Sequence, residues 1–298
     1  MRTLISIFAL PEEIDDLERT LIQLKQASKY LDNTDQVLID VSLGLSDYLT
    51  DWNKSILPKK FFHSKFIQLK EYTNWCAESN FNISEEILGC VSQRRISSKK
   101  YEVDNIIWLD TDIIFSPATL IYTLNSAKTL SDRGINRYVI TPEIVRIWDG
   151  TWDCLVNENF IDKEYGYERK NDPYIDATIY GDVSLEEVNS KLINQPALKF
   201  AGGWFTCLSK EILNAIPVPE SFGHYGLEDT YITWADMPYS TINQFKLKNI
   251  VVCEDYKYRN KDHYLEVISK INRKDEFLSK ARQNFQIELD KIWGNVPK

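Results

Sequence analysis

The sequence predicts an α/β protein: a mostly parallel, twisted sheet flanked by helices. An apolar strand, a helix and a second apolar strand open the chain, the β-α-β order that builds a parallel sheet covered by helices. Later, Asn105-Ile106-Ile107-Trp108-Leu109 runs without a break into Asp110-Thr111-Asp112 and on to Ile113-Ile114-Phe115. A continuous apolar run of this kind reads as a strand buried on both faces. At 298 residues and 43% hydrophobic, the chain can bury one large core or two small ones. With no Pro/Gly/Ser-rich linker and no internal repeat, a single domain over residues 1–298 is expected.

The first strand is Leu4 to Leu10, a core strand rather than a signal peptide, since no cleavage site follows and Glu12 and Glu13 come at once. Pro11 then opens a helix whose early Glu12, Glu13, Asp15 and Asp16 favour its N-terminal dipole, with Ile14, Leu17, Leu21, Leu24 and Leu31 along one face. Gln36 to Val41 forms strand two and carries Asp40 near its end. Residues 44 to 82 mix aromatics with lysines without a clear period, and read as a packed excursion over the sheet. Ser84 is expected to cap a helix running through Glu85 and Glu86 to about Lys100, with Arg94, Arg95, Lys99 and Lys100 towards its end.

Behind the central strand, Ser116-Pro117 is a cap followed by a first-turn proline, and the helix it starts stops at Gly134. Tyr138 to Thr141 is a further strand. From Pro142 to Pro173, tryptophans and tyrosines stand among acids and asparagines, a composition that suits a polyol substrate or equally a loop-rich β-region. Ser184-Leu185-Glu186-Glu187 is a capping box for a short helix. Phe200 to Leu208, with Gly202-Gly203 inside it, leads into a helix from Ser209. Asn249 to Cys253 is a late strand, then comes a polar loop holding His263, and a long charged helix closes the chain.

The formal charge of −9 argues against a non-specific nucleic-acid or anionic-membrane surface. No apolar run approaches the length of a membrane span. The five cysteines are odd in number and scattered, without a Cys-x-x-Cys pair, which reads as reduced thiols in a cytoplasmic protein.

Asp110 and Asp112 are the only charges inside their apolar stretch, and unpaired carboxylates are costly to bury there unless they reach the sheet edge or bind a cation. Ligands of open α/β sheets gather at the carboxyl ends of strands, where this pair falls. Alternation places both on one face, with Thr111 opposite. Two oxygen ligands suit Mg²⁺ or Mn²⁺, with other positions left for water and a diphosphate. Adjacent glycines at Gly202-Gly203 point to close backbone approach to a ligand or to a bulge. Glu228-Asp229, just after Gly226-Leu227, is either a second reactive pair or simply an acidic helix start.

Taken together, Leu109-Asp110-Thr111-Asp112, Gly202-Gly203, Gly226-Leu227-Glu228-Asp229 and His263 resemble, in order and spacing, the inverting family-2 nucleotide-sugar glycosyltransferases of the GT-A fold. The resemblance spans roughly residues 3 to 263 and rests on motifs, not on identity along the chain. It implies a GT-A sheet with a nucleotide-binding half over 1–115, an acceptor-binding half over 116–265 and a C-terminal helix over 266–298. It implies a metal held by Asp110, Asp112 and His263, and donor contacts from Asp40, Arg94, Asp110, Gly202, Gly203 and Trp204. Asp229 is implied as the general base, with Glu228 shaping the acceptor site. The donor would be a nucleotide sugar, UDP-linked by family habit, and the acceptor a glycan, glycolipid or protein hydroxyl. The turns after strands one and two, Phe8-Ala9-Leu10-Pro11 and Asp40-Val41-Ser42-Leu43-Gly44, depart from the family pattern and bear on base and ribose contacts. A retaining GT-A transferase, a sugar nucleotidyltransferase and a carbohydrate-binding protein are the rival classes.

Overall fold

A mixed sheet of nine strands forms the middle layer of the fold, in the order β3-β2-β1-β4-β10-β6-β11-β5, with β9 paired to β11. The computed structural model describes residues 1–31, 36–45, 59–87, 89–146, 161–162, 168–169, 192–194, 203–223, 227–254 and 274–294. Its strands are β1 Arg2–Ala9, β2 Gln36–Leu45, β3 Glu78–Ile87, β4 Asn105–Asp110, β5 Ile113–Phe115, β6 Tyr138–Arg146, β7 Ile161–Asp162, β8 Glu168–Arg169, β9 Leu192–Asn194, β10 Phe205–Ser209 and β11 Asn243–Glu254. β7 and β8 form a separate antiparallel pair. The helices are α1 Ile14–Ala27, α2 Lys59–Gln68, α3 Cys90–Lys100, α4 Pro117–Asp132, α5 Lys210–Ala215, α6 Glu228–Ala235 and α7 Lys274–Trp293.

From β3 to β4 every pairing is parallel, and β6 and β11 run parallel to each other. β10 lies antiparallel between β4 and β6, while β5 and β9 run against β11. Period-two alternation sends Ile5, Ile7, Ile39, Val41, Ile107 and Leu109 to one face, where α1 and α4 cover them. Leu4, Leu38, Ile106 and Trp108 point to the other face, against residues of α3, α5, α6 and α7. Both faces are therefore dry, which is why the central strands read as unbroken apolar runs.

Several local expectations hold. Ser116 Oγ accepts from the Ala118 N–H at 3.2 Å, Pro117 takes the first helical position, and Gly134 follows α4 with φ 76°. Among the described residues no helix is long and apolar enough to cross a membrane. Cys76, Cys90 and Cys207 are free thiols.

The structure corrects other readings. The region around Ser84 is strand, not helix. Residues of Glu78–Ile87 pair in parallel with β2, from Leu38↔Glu78 to Leu45↔Ile87, so ladder bonds outweigh the local cap signal and the helix starts only after Gly89. Strand two extends to Leu45, which leaves Asp40 in mid-strand. The apolar stretch through Phe115 is two strands, not one: β4 ends at Asp110, Thr111-Asp112 turn, and β5 joins the far edge of the sheet. The capping box at Ser184, most of 142–173, Gly202 and His263 lie outside the described residues.

Candidate active site

The site is assembled at the carboxyl end of β4. Trp108 and Asp110 alternate onto the α3 side of the sheet, and the chain then turns. α1 holds that turn from the opposite side. The Thr111 hydroxyl donates to Glu13 Oε2 at 3.1 Å, its carbonyl accepts from Thr20 Oγ1 at 2.9 Å, and the Phe115 N–H donates to Gln23 Oε1 at 2.7 Å. Asp112, within the turn, is 6% exposed. Thr111 faces α1 and Asp110 faces α3, and because β4 ends at Asp110 the strand alternation does not extend to Asp112.

The antiparallel β10 brings the glycine loop to the same point. The Asp110 N–H donates to the Trp204 carbonyl at 3.0 Å, which sets Gly203 and Trp204 beside the end of β4. α6 arrives from the other side with Glu228 and Asp229 in its first turn, as an acidic helix start should. The Gly203 N–H donates to Asp229 Oδ2 at 2.9 Å, and the Thr230 N–H donates to Asp229 Oδ1 at 2.6 Å.

Arg94 of α3 closes the cluster. Its Nη2 donates to Asp110 Oδ1 at 2.7 Å and to the Gly203 carbonyl at 2.9 Å, and its Nη1 pairs with Glu228 Oε1. The guanidinium lies 5.1 Å from the Trp108 ring centroid. Asp110 and the Glu228-Asp229 pair, far apart in the chain, therefore meet across one guanidinium and one glycine. Burial alone would lower the pKa of Arg94, but Asp110 and Glu228 more than offset it and hold the side chain as a cation. Burial pushes the Glu228 carboxyl up to about 7, against the pull of Arg94 and with the push of Asp229. Asp229 is raised for the same first reason, burial, again opposed by Arg94.

Gly203 shows why a glycine is needed. A Cβ there would collide with the Arg94 guanidinium. The Gly203→Ala variant is expected to displace the guanidinium and to lose about 1–3 kcal/mol of stability, the range for overpacking a tight site. Urea unfolding measures this, and an unchanged midpoint would refute the close approach.

A divalent cation fits the donor set. Asp110 and Asp112 bring two carboxylates to one turn, and Asp110 keeps 43% of its side-chain surface exposed. Oxygen donors of this kind suit Mn²⁺ or Mg²⁺, which complete their shells with water and phosphate oxygens. Among the described residues no group of three or more His, Cys, Asp or Glu side chains is gathered for a metal, and the expected third ligand, His263, lies outside them.

Asp40 sits apart from this cluster. It is 1% exposed, between Ser6 of β1 and Asn80 of β3, and accepts from Gln93 Nε2 at 2.6 Å, Tyr101 OH at 2.8 Å and Asn82 Nδ2 at 3.1 Å. It ties α3 to the sheet. Sequence reasoning overlooked Thr20 and Gln23, and read Glu13 only as a charge at the helix start. Asp16, Thr20, Gln23 and Ala27 are buried at helical spacing beside the Leu17, Leu21 and Leu24 stripe, so polar groups on a core-facing helix face were the available signal.

No protein-family model and no curated protein matches the sequence. Solved structures match the fold. GalNAc-T7, solved with UDP, GalNAc and Mn²⁺, aligns over 90% of this chain and 47% of its own, at 12% identity and a TM-score of 0.53. The fold is that of the GT-A glycosyltransferases. TarS of S. aureus aligns over 91% of this chain and 39% of its own, at 13% identity and a TM-score of 0.48. The mannosyltransferase PcManGT of Pyrobaculum calidifontis, solved with GDP-Man and Mn²⁺, aligns over 97% and 69% at 12% identity and a TM-score of 0.49. The chain spans less than half the length of GalNAc-T7 and TarS.

Proposed function

We propose that the chain is a metal-dependent glycosyltransferase that moves a sugar from a nucleotide-sugar donor, in the first instance a UDP-sugar, to a hydroxyl acceptor with inversion. One observation carries this reading: Asp110 and Asp229 converge on the Arg94–Gly203 cluster at the carboxyl end of β4. That both aspartates bond to this one Arg94–Gly203 pair supports a donor-side carboxylate and a base-side carboxylate acting on one substrate. GalNAc-T7, on the same fold, was solved with UDP and Mn²⁺, which supports the donor class.

In this reading Asp110 and Asp112 hold the cation, with His263 as a candidate third ligand, and Gly202, Gly203 and Trp204 border the donor. A bound Mn²⁺ or Mg²⁺ supplies Lewis-acid stabilisation of charge on the departing diphosphate. Asp229 takes the proton of the acceptor hydroxyl as its oxygen attacks the anomeric carbon from the face opposite the leaving group. The carbon–oxygen bond to the diphosphate breaks, and its electron pair leaves with the nucleotide. The Gly203 and Thr230 N–H groups fix the carboxylate plane of Asp229, and partial burial raises its basicity. Glu228, paired with Arg94, shapes the floor of the acceptor side. A glycan, glycolipid or protein would supply the hydroxyl. The free Cys76, Cys90 and Cys207 suit a reducing, cytoplasmic setting.

The test is release of nucleoside diphosphate from a panel of UDP- and GDP-sugars, with and without chelator. Release that stops on chelation and returns with Mn²⁺ is expected. Absence of release from the whole panel, with water or sugar acceptors, would refute the transferase reading. NMR of the product's anomeric configuration reads the stereochemistry, and a retained configuration would remove Asp229 as base.

A further inference from the structure

Arg94 is 6% exposed and stacked on the fully buried Trp108. An arginine that grips a phosphate holds its planar fork ready for the ligand. Here the fork is turned inward and both terminal nitrogens are engaged by protein, with Asp110, the Gly203 carbonyl and Glu228. Gly203 is used at both ends, its carbonyl by Arg94 and its N–H by Asp229. A continuous path of hydrogen bonds therefore joins Asp110 to Asp229 through Arg94 and Gly203.

The rest of α3 serves the same arrangement. Ser92 Oγ donates to the Gly223 carbonyl at 3.1 Å, and Arg95 Nη1 donates to the Pro219 and Gly223 carbonyls at 3.3 and 3.2 Å. Gly223 has φ 66°, so the chain turns there before reaching α6. The approach to α6 is held at Gly223 by Ser92 and Arg95, and its first turn by Arg94. α3 is in turn fixed to the sheet, through Gln93 to Asp40 and Ser42 at 2.6 Å each and through Ser97 to Ser6 at 2.9 Å.

We infer that Arg94 is a positioning residue, an internal strut that sets Asp110 and Asp229 at their working separation and makes no contact with the donor's phosphates. This role presupposes the sugar transfer proposed above. It also explains the residue type: only a planar, permanently charged fork reaches two carboxylates and a carbonyl at once, and a lysine ammonium cannot span them.

The test uses the full chain with Arg94→Met and Arg94→Lys. The double variant Arg94→Met/Glu228→Gln removes the buried cation together with a partner and carries the same measurements if Arg94→Met does not fold. Amide hydrogen exchange comes first, because it needs no substrate. Protection at Gly203 and across 227–235 is expected to fall about tenfold or more, with 105–109 protected as in the wild type. Unchanged protection at Gly203 would overturn the strut, whether or not the protein transfers sugar.

Calorimetry with UDP and with uridine, both in Mn²⁺, comes second. UDP affinity is expected to stay within about threefold of wild type while turnover falls about 100-fold, with partial recovery in Arg94→Lys. A UDP affinity that drops about tenfold or more, with uridine unaffected, would assign Arg94 to the diphosphate and overturn the inference. A wild type that neither binds UDP or GDP nor releases either from a sugar donor refutes the transferase reading alone, and Gly203 exchange then decides the strut.

Discussion

Asp229→Asn is expected to lower sugar transfer by about 10²–10⁴-fold, the usual worth of a general base, with nucleotide binding close to wild type. The variant keeps the shape of the side chain and loses its capacity to take a proton. Geometry limits the collateral damage. Asp229 accepts from the Gly203 N–H through Oδ2 and from the Thr230 N–H through Oδ1. An asparagine has one oxygen for these two donors, so one bond is lost in either orientation, at about 1 kcal/mol. That cost is too small to unfold the protein and much smaller than the kinetic loss. Nucleoside diphosphate release measures turnover, and calorimetry with UDP and Mn²⁺ measures binding. Full turnover in the variant would refute the assignment. The pH profile gives a second reading of the same group. A base works only when deprotonated, so kcat/KM should fall as pH drops through the carboxylate pair, whose members burial raises, Glu228 to about 7. Glu228→Gln deletes a negative neighbour and leaves Arg94 more strongly biased towards Asp229. Both changes favour the Asp229 carboxylate, so the acid limb should move to lower pH.

How much of this was legible in the sequence depends on how local each cause is. The Ser116-Pro117 start of α4 and the acidic start of α6 follow from a few adjacent residues, and both were readable. The parallel β1-β2-β4 core was readable because strands buried on both faces must be apolar throughout. β3 was not. It forms the edge of the sheet beside β2, and a polar edge strand such as Glu-Ser-Asn-Phe-Asn-Ile-Ser-Glu-Glu-Ile carries a cap-like Ser-Glu-Glu that only pairing with β2 overrules. The break at Thr111 was hidden for a similar reason, since the groups that hold it, Glu13 and Thr20, lie more than 90 positions away. The strand direction of β10 leaves no trace in an apolar run. In the candidate site the acidic residue types were readable, because buried carboxylates need a purpose. The inward turn of Arg94 was not, because its partner Glu228 is 134 positions away.

Asp112→Ala is expected to remove the Mn²⁺-dependent part of UDP binding, lowering affinity by at least the about 10–100-fold that loss of a mere outer-shell partner costs a metal site. The two aspartates of the turn are not equivalent. Asp110 shares its carboxylate with the buried Arg94, whose positive charge opposes a second cation nearby. Asp112 is 6% exposed within a turn that Glu13, Thr20 and Gln23 brace at Thr111 and Phe115, so the turn that carries it is fixed before any ligand arrives. A braced turn next to a carboxylate already shared with Arg94 favours Asp112 as the stronger ligand. Calorimetry with UDP in Mn²⁺ and in chelator separates the metal-dependent part from the rest. The wild type should show a large difference between the two conditions, and the variant little or none. Asp112→Asn keeps a neutral oxygen donor and should fall between them. If Asp112→Ala binds UDP as tightly as wild type and still responds to Mn²⁺, the cation is held elsewhere. The carboxylate pair at the end of β4 would then need another explanation for lying at the ligand end of the sheet.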